Sequence, residues 1–528
     1  MSHDEKYPFA PFLETSTRMV SAFLDAYRVS MLYSTGLTRY VNDFLEPFYV
    51  ACGSFMEEER KKVHRVSPET NFEDYSALLR FNAQIGETGS LKSENRAAEY
   101  HAKEARRFIV SLFNTFLGGP GEKVDEYMAR KAALLQRLVV DYPDAIRSIE
   151  PEYGFHFDDG TYRLAAETDR MWLYQVLPTE PGVAVREDCK PIVIAHPYVL
   201  GPNIIAFLPG ERKSYVHAFA NEGIPTYARI IKNIWEAEAV QVMSGEDDAR
   251  DTAYFCRVLK EKHGKPVTLN GFCQGGFICL ADVLSRELDG LVDALISCVA
   301  PMDGTRSKGL VDYLEHISPR FRDLAYARKT LPSGHEVIDG RVMSWVYKLK
   351  SIEREAPVFT YYRDIEMFET MLEKGIEGIG KTAAAINYWL IYDRTDLPPA
   401  ITQMSFDSYT IPISAAGDLP FKLFGRRLNF DYLREKGIRF QICYAGKDDL
   451  VDPPAALAPR DFVDVELTEF PKGHAAIATS WSDPSSDYAL HKRYPNGQRG
   501  PVRFQLDLDE ELSAWPGSGL ARPRLVQA

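Results

Sequence analysis

The sequence predicts an α/β protein with a mostly parallel sheet, preceded by an all-helical region. Three observations predict it. The first third carries apolar residues at helical spacing and few strand signals. From Tyr153 onward, short β-rich runs alternate with helical runs. That alternation lapses once, between Asp303 and about Phe424, before two further strands. Strands alternating with helices of this length build right-handed βαβ units whose sheet is covered on both faces. The chain is therefore divided into a helical region (1–150), a first part of the α/β core (151–304), an inserted cap or lid (305–424), and a second part of the core with a loose C-terminal tail (425–528).

From Phe12 to about Glu57, apolar positions such as Met19, Val20, Phe23, Leu24, Tyr27, Met31 and Leu32 recur at helical spacing, interrupted near "STGLT" and at Pro47. Two or three amphipathic helices are expected there. The polar stretch "GETGSLKSEN" from Gly86 is expected to separate them from a helical block, Ala97 to Leu117, which "GGPGE" ends. A last helix runs from about Val124 to Leu138. Such a stripe most often packs on its own core, with a partner or a lipid-like surface as the alternative. Next, "FHFDDGTYRL" places a DG turn between two alternating runs and "MWLYQVL" follows as a strand, as in a β-hairpin opening a sheet. Strands follow at "PIVIAHPYVL", "IPTYARII", "PVTLNGF" and "DALISCVAPM", with helices at "KSYVHAFANEG", "EDDARDTAYFCRVLKEKHG" and "GGFICLADVLSREL" between them. After the long aromatic, Pro-dotted insertion, "RFQICYAG" and "DVELTEF" resume as strands. An insertion of that size most often caps the strand ends.

A net charge of -13 disfavours attraction to nucleic acid or an anionic membrane. The opening "MSHDEKYPFA" has no apolar h-region, and no stretch approaches the roughly 18 apolar residues of a membrane span. A cytoplasmic protein without a transmembrane segment is expected. Seven cysteines are scattered with no short CxxC spacing, so neither a disulfide framework nor a zinc site is signalled and the thiols are expected to be reduced. With no HExxH, Walker A or GxGxxG, no metal and no bound cofactor are expected.

The chemistry centres on "NGFCQGGFICL". Gly271-Phe272-Cys273-Gln274-Gly275 is a G-x-[Ser/Cys]-x-G box between a β-rich and a helical run, the setting of the nucleophile in an α/β-hydrolase fold. That fold requires an acid and then a histidine after later strands. "CYAGKDDLVDPP" offers Asp448, Asp449 and Asp452; Asp449, three residues after Gly446 and just before Leu450-Val451, is the expected acid, with Asp448 as fallback. "LTEFPKGHAAIA" supplies His474. Cys273 is then the candidate nucleophile, His474 its base and Asp449 the group that orients the ring, while Cys279 and Cys298, in apolar runs, are expected in the core. The oxyanion hole needs the N–H of Gln274 and one from the loop "AHPYVLGPN", Val199 or Tyr198. Tyr198 and His196 are expected to border the substrate, His196 shaping the loop ahead of Pro197 rather than acting as a base. An acyl group on a cysteine stays about as activated as its thioester donor. Cysteine in place of serine therefore favours transfer from a CoA-type thioester, with CoA in the substrate rather than as a cofactor.

From about Pro191 to Asp483 the chain resembles polyhydroxyalkanoate synthases. The matching pieces are the G-x-C-x-G-G box Gly271 to Gly276, "DRTDLP" from Asp393, "KDDLVDPP", and "KGHAAIATSWSDP" from Lys472. The resemblance implies a cytosolic α/β-hydrolase-fold acyltransferase polymerising (R)-3-hydroxyacyl-CoA, with Cys273 as acyl carrier, His474 as its base, and Asp449 as the acid that helps activate the acceptor hydroxyl. It also allows a granule surface or a second copy as partner. The chain departs from the family at Leu450, where synthases carry a histidine after the acid, and at Leu390, where they carry a tryptophan; Trp389 is one position away. Two other functions fit the same residues: a cysteine-nucleophile hydrolase, as in an intracellular polyester depolymerase or thioesterase, and a non-catalytic granule-associated scaffold.

Overall fold

A computed structural model describes residues 10–308, 314, 318–343, 356–376 and 378–506. The first nine residues, parts of the 305–424 insertion and the tail after Trp515 lie outside the described residues. The chain folds as two compact units: Met1–Pro151 with Glu315–Ala327 and Arg341–Tyr388, and Glu152–Leu314 with Arg328–Gly340 and Trp389–Ala528. The 305–424 insertion contributes segments to both.

The second unit is built on eight strands: β1 (Tyr162–Glu167), β2 (Met171–Val176), β3 (Ile192–Ala195), β4 (Thr226–Ile231), β5 (Val267–Phe272), β6 (Val292–Cys298), β11 (Arg439–Ala445) and β12 (Glu466–Phe470). Four short strands between β6 and β11 form separate hairpins, β7 (Arg328–Thr330) with β8 (Glu336–Ile338) and β9 (Asp418–Leu423) with β10 (Arg426–Asn429). The sheet order is β1-β2-β4-β3-β5-β6-β11-β12. β2 pairs antiparallel with both β1 and β4, and every later pair is parallel. This is the α/β-hydrolase fold, with β5 at the centre of the parallel part. β3 and β5 are buried along their whole length, Thr268 and Asn270 of β5 included, as in a sheet covered on both faces.

Local chemistry sets the element ends. Ser244 caps the helix Gly245–His263 in a capping box with Asp247, and Gly264 closes it at φ +69°. The opening hairpin differs from expectation. Its turn is Thr168–Arg170, where the Thr168 hydroxyl accepts from the N–H groups of Arg170 and Met171, and the DG pair precedes β1. "FHF" is not a strand.

The first unit holds the helices Ala10–Lys62, Pro68–Leu117, Val124–Gln136 and Pro357–Glu373. The expected breaks at "STGLT", Pro47 and "GETGSLKSEN" do not occur; two helices of 53 and 50 residues run through them. Gly36 sits where a Cβ would lie 2.7 Å from Val139 and 2.8 Å from the Tyr361 hydroxyl, so it serves close helix packing rather than a turn. Ser93 returns its hydroxyl to the Gly89 carbonyl within the helix. A glycine inside a helix costs about 1 kcal/mol and a proline such as Pro47 about 3 kcal/mol, which the packing of a long helix offsets. The core comprises Tyr100, Leu134, Leu135, Leu138, Tyr361, Ile365 and Phe368, against which Val29, Leu32, Tyr33 and Leu37 pack. Of the stripe read from the sequence, Leu32 reaches this core, whereas Val20, Phe23, Leu24, Tyr27 and Met31 are exposed among the described residues.

Candidate active site

The site is assembled at the carboxyl end of the sheet. β5 ends at Phe272, the helix Gln274–Leu284 begins one residue later, and Cys273 makes the turn between them at φ 52°, ψ −126°. A non-glycine residue in that region is strained, and strain of this kind persists only where the surroundings enforce it. Here they do. The Cys273 N–H donates to the Cys298 carbonyl at 2.8 Å, fixing the turn to the end of β6. A Cβ on Gly271 would lie 2.3 Å from the Gly275 carbonyl oxygen. One on Gly275 would lie 2.5 Å from that of His196, and one on Gly276 2.7 Å from the Ala300 Cβ. The three glycines of the box are thus demanded by close approach of backbone at a strained turn. Cys273 is 8% exposed, while Cys279 and Cys298 are fully enclosed.

Two loops face the turn. Beyond β11 and β12 the chains stay paired, Gly446 N–H to the Phe470 carbonyl and Lys447 N–H to that of Lys472, so the acid loop and the histidine loop run side by side. His474 Nδ1 lies 2.8 Å from Asp448 Oδ2. The other oxygen of Asp448 accepts from the N–H groups of Leu450 and Val451, both at 2.9 Å. His474 Nε2 is buried with no hydrogen-bond partner among the described residues. Burial pushes the imidazolium down, but the Asp448 carboxylate and then the Cys273 sulfur outweigh it, leaving the ring well above its usual pKa. The structure thus brings Cys273, His474 and Asp448 together.

The expected acid, Asp449, is corrected by this geometry. It is exposed, and the turn closed by the Asp448 N–H on the Ala445 carbonyl aims Asp448 inward instead. Asp449, not Leu450, directly follows the carboxylate that meets His474.

Tyr198 and His196 are also corrected, since neither side chain borders an open site. His196 is buried, with Nδ1 3.0 Å from the Pro197 carbonyl oxygen and Nε2 accepting from Ile231 N–H at 3.4 Å. Burial pushes its pKa down to about 4, so the ring stays neutral. The Tyr198 hydroxyl turns inward to Asp248 and Arg229. Charged residues inside the helical runs, Asp248 in "GEDDARD" and Asp282 in "ICLADVL", were the signal for this network, and sequence reasoning missed it.

Of the two expected oxyanion donors, Val199 N–H is held by the Gln274 side chain, to whose Oε1 it donates at 3.2 Å. Gln274 Nε2 in turn donates to Ser405 Oγ at 2.6 Å, from the helix Pro399–Thr410. Trp389 and the "DRTDLP" segment that follows it from Asp393 brace the same loop. Trp389 Nε1 donates to the Leu200 carbonyl, Thr395 N–H to that of Val199, and Asp393 accepts from the Tyr153 hydroxyl. Trp389 is buried and Leu390 is exposed, so the tryptophan one position away takes the inward place. Among the described residues no group of three or more His, Cys, Asp and Glu could hold a metal ion.

No family model matches the chain, and no curated protein matches it. Solved structures similar to it include an esterase, RhEst1, from Rhodococcus sp. ECU1013, at 14% identity over 61% of this chain and 94% of that one, with a TM-score of 0.31. Another is naproxen esterase (carboxylesterase NP) from Bacillus subtilis, at 13% identity over 64% and 93%, with a TM-score of 0.30. A third is the thioesterase domain from the curacin biosynthetic pathway, at 12% over 60% and 94%, with a TM-score of 0.30. The α/β-hydrolase fold itself is established by the strand order and pairing.

Proposed function

We propose that the chain is an acyl-transfer enzyme that carries the acyl group as a thioester on Cys273. One observation carries this reading: a cysteine at a strained strand–helix turn faces a buried histidine held by a buried aspartate. In the first step Sγ, its proton already held on His474 Nε2 as a thiolate–imidazolium pair, attacks the carbonyl carbon of a thioester donor. The oxyanion is met by the N–H of Gln274 and by that of Val199, from which it displaces the Gln274 amide oxygen. The thiol leaving group departs with the proton from His474, leaving acyl-S-Cys273. An acceptor then loses its proton to His474 as it attacks, and Cys273 is released. Asp448 holds the ring tautomer and stabilises its positive charge throughout.

A hydroxyl acceptor on a polyester chain, with (R)-3-hydroxyacyl-CoA as donor, follows from the synthase resemblance and from the choice of cysteine. Water as acceptor, giving a thioesterase or depolymerase, is the second reading; the α/β-hydrolase fold and the triad favour it because hydrolysis requires nothing beyond them. Intact-protein mass spectrometry after incubation with 3-hydroxybutyryl-CoA tests both. An oligomeric adduct on Cys273, absent from Cys273→Ala, is expected for the synthase. A single acyl unit with continuous CoA release and no polymer would replace it by the hydrolase. No adduct and no CoA release would withdraw the enzyme in favour of a scaffold.

A further inference from the structure

Directly behind the oxyanion loop lies a buried ionic network that the triad does not use. Tyr198 precedes Val199, and its hydroxyl donates to Asp248 while accepting from Arg229 Nη2 at 2.6 Å. Arg229, on β4, also donates through Nη1 to Asp248 Oδ1 at 2.5 Å and to Asp282 Oδ2 at 3.3 Å. The Thr252 hydroxyl donates to Asp282 Oδ2 at 3.0 Å. Tyr198, Arg229, Asp248 and Asp282 are each at most 1% exposed. Asp282 belongs to the helix that begins at Gln274, one residue after Cys273, and Asp248 to the helix Gly245–His263.

Two carboxylates face one guanidinium here, and Asp282 Oδ1 has no hydrogen-bond partner among the described residues. Burial first, and then the charge of Asp248, push the Asp282 carboxyl well above the usual range. Asp248, bonded to Arg229 Nη1 at 2.5 Å, is the nearer of the two carboxylates to the guanidinium. Buried ion pairs are a poor source of stability, since well-packed apolar groups of the same volume often do as well or better. What this one supplies is geometry. It ties the loop that carries the Val199 N–H to the helix that carries the nucleophile turn, through bonds that do not tolerate a shift of one element against the other.

We propose that Tyr198, Arg229, Asp248 and Asp282 are positioning residues that fix the Val199 N–H relative to Cys273 Sγ, so that the two meet the same carbonyl group. This rests on acyl transfer through Cys273. Misplacing an oxyanion donor should damage acylation and leave the thiol's intrinsic reactivity alone.

Two reactions of the full-length protein separate these effects: alkylation of Cys273 by iodoacetamide, which uses no oxyanion hole, and its acylation by p-nitrophenyl acetate, which does. Tyr198→Phe keeps the ring and removes the hydroxyl. Its acylation is expected to fall about 10²-fold in rate at unchanged KM, with alkylation as in wild type at a temperature where both proteins are folded. Asp248→Asn, which removes the nearer carboxylate, is likewise expected to lose acylation selectively. Normal acylation by Tyr198→Phe would overturn the proposal, as would parallel loss of alkylation and acylation. Unchanged acylation by Asp248→Asn would overturn it too. If the wild type is alkylated at Cys273 but takes up no acyl group, the acyl-transfer reading itself fails.

Discussion

Asp448 and Asp449 are neighbours with opposite fates. Asp448 has both oxygens committed, one to His474 and one to two backbone N–H groups, while Asp449 faces solvent. Asp448→Asn should lower acylation by about 10²–10⁴-fold by destabilising the imidazolium and its tautomer, and Asp449→Asn should leave it unchanged. Single-turnover acylation of the two variants checks this; the reverse order would restore Asp449 as the acid. The same pair predicts a pH dependence. The folded pKa of His474 is raised above its unfolded value of about 6.5, so its contribution to stability is complete below that value and is lost as pH rises through the folded pKa. Without the Asp448 charge, burial dominates and the sign reverses: in Asp448→Asn the contribution is lost as pH falls below about 6.5. Urea unfolding midpoints across that range, wild type against Asp448→Asn, read the difference. A carboxyl with a raised pKa behaves otherwise. Burial pushes Asp393 up to about 6, so folding loses stability to it as pH rises between its unfolded and folded values. Asp393→Asn should flatten that part of the profile. Spacing within a loop could not separate Asp448 from Asp449, because the choice is made by which backbone groups the turn closes on. Cys273 is singled out in the sequence by its flanking glycines and His474 by its place in the loop after the last strand, signals that do not depend on how a turn closes.

At the scale of elements, strand edges and glycines carry the argument. Gly275 abuts the His196 and Ala195 carbonyls, and β3, which ends at Ala195, is held on one side by β4 and on the other by β5. The neighbour cannot give way, so Gly275→Ala should cost about 1–3 kcal/mol, read as a lowered thermal midpoint, with acylation reduced as well. Wild-type behaviour would mean that the turn is looser than its contacts imply. On the other side of the site, the helix Pro399–Thr410 presents Ser405 to the amide that covers Val199 N–H. Removing one neutral hydrogen bond of about 0.5–1.5 kcal/mol should free that amide, so Ser405→Ala is expected to accelerate acylation by about 2–10-fold. A slower variant would show that the amide helps rather than obstructs. Although polar residues inside them, such as Arg229, Asn270 and Gln441, interrupt the apolar pattern, the parallel strands were readable from the sequence because short β-rich runs alternate with helical runs. Helix continuity through "STGLT" and "GETGSLKSEN" was not, because Gly36 breaks a helix in isolation and permits one when a neighbour must come close.

For the whole molecule, what governs stability is that the chain enters the helical unit more than once. Tyr361, Tyr362, Ile365 and Phe368 fall in the region whose length and lapse of strand–helix alternation predict a lid, because an insertion of that kind does not name what it packs against. In the fold these residues complete the core of the N-terminal helices. Tyr361 donates to the Tyr33 carbonyl, Tyr40 donates to Asp364, and Glu369 receives Lys103 at 3.0 Å and Arg130 at 3.3 Å. Lys131, 5% exposed at its side chain, has Glu104 and Glu369 as its carboxylate partners, one from each side of that sequence gap. A fragment ending at Pro151 would keep its long helices but expose this apolar face and leave Lys103 and Arg130 without Glu369. Helices of that length retain secondary structure while losing fixed packing. The fragment Met1–Pro151 should therefore show strong far-ultraviolet and weak near-ultraviolet circular dichroism, bind an apolar dye and melt without a sharp transition. Adding the segment 341–388 in trans should restore near-ultraviolet signal and cooperativity, and Tyr361→Ala in that segment should abolish the rescue. A fragment that melts sharply on its own would show that the N-terminal helices fold independently of the insertion.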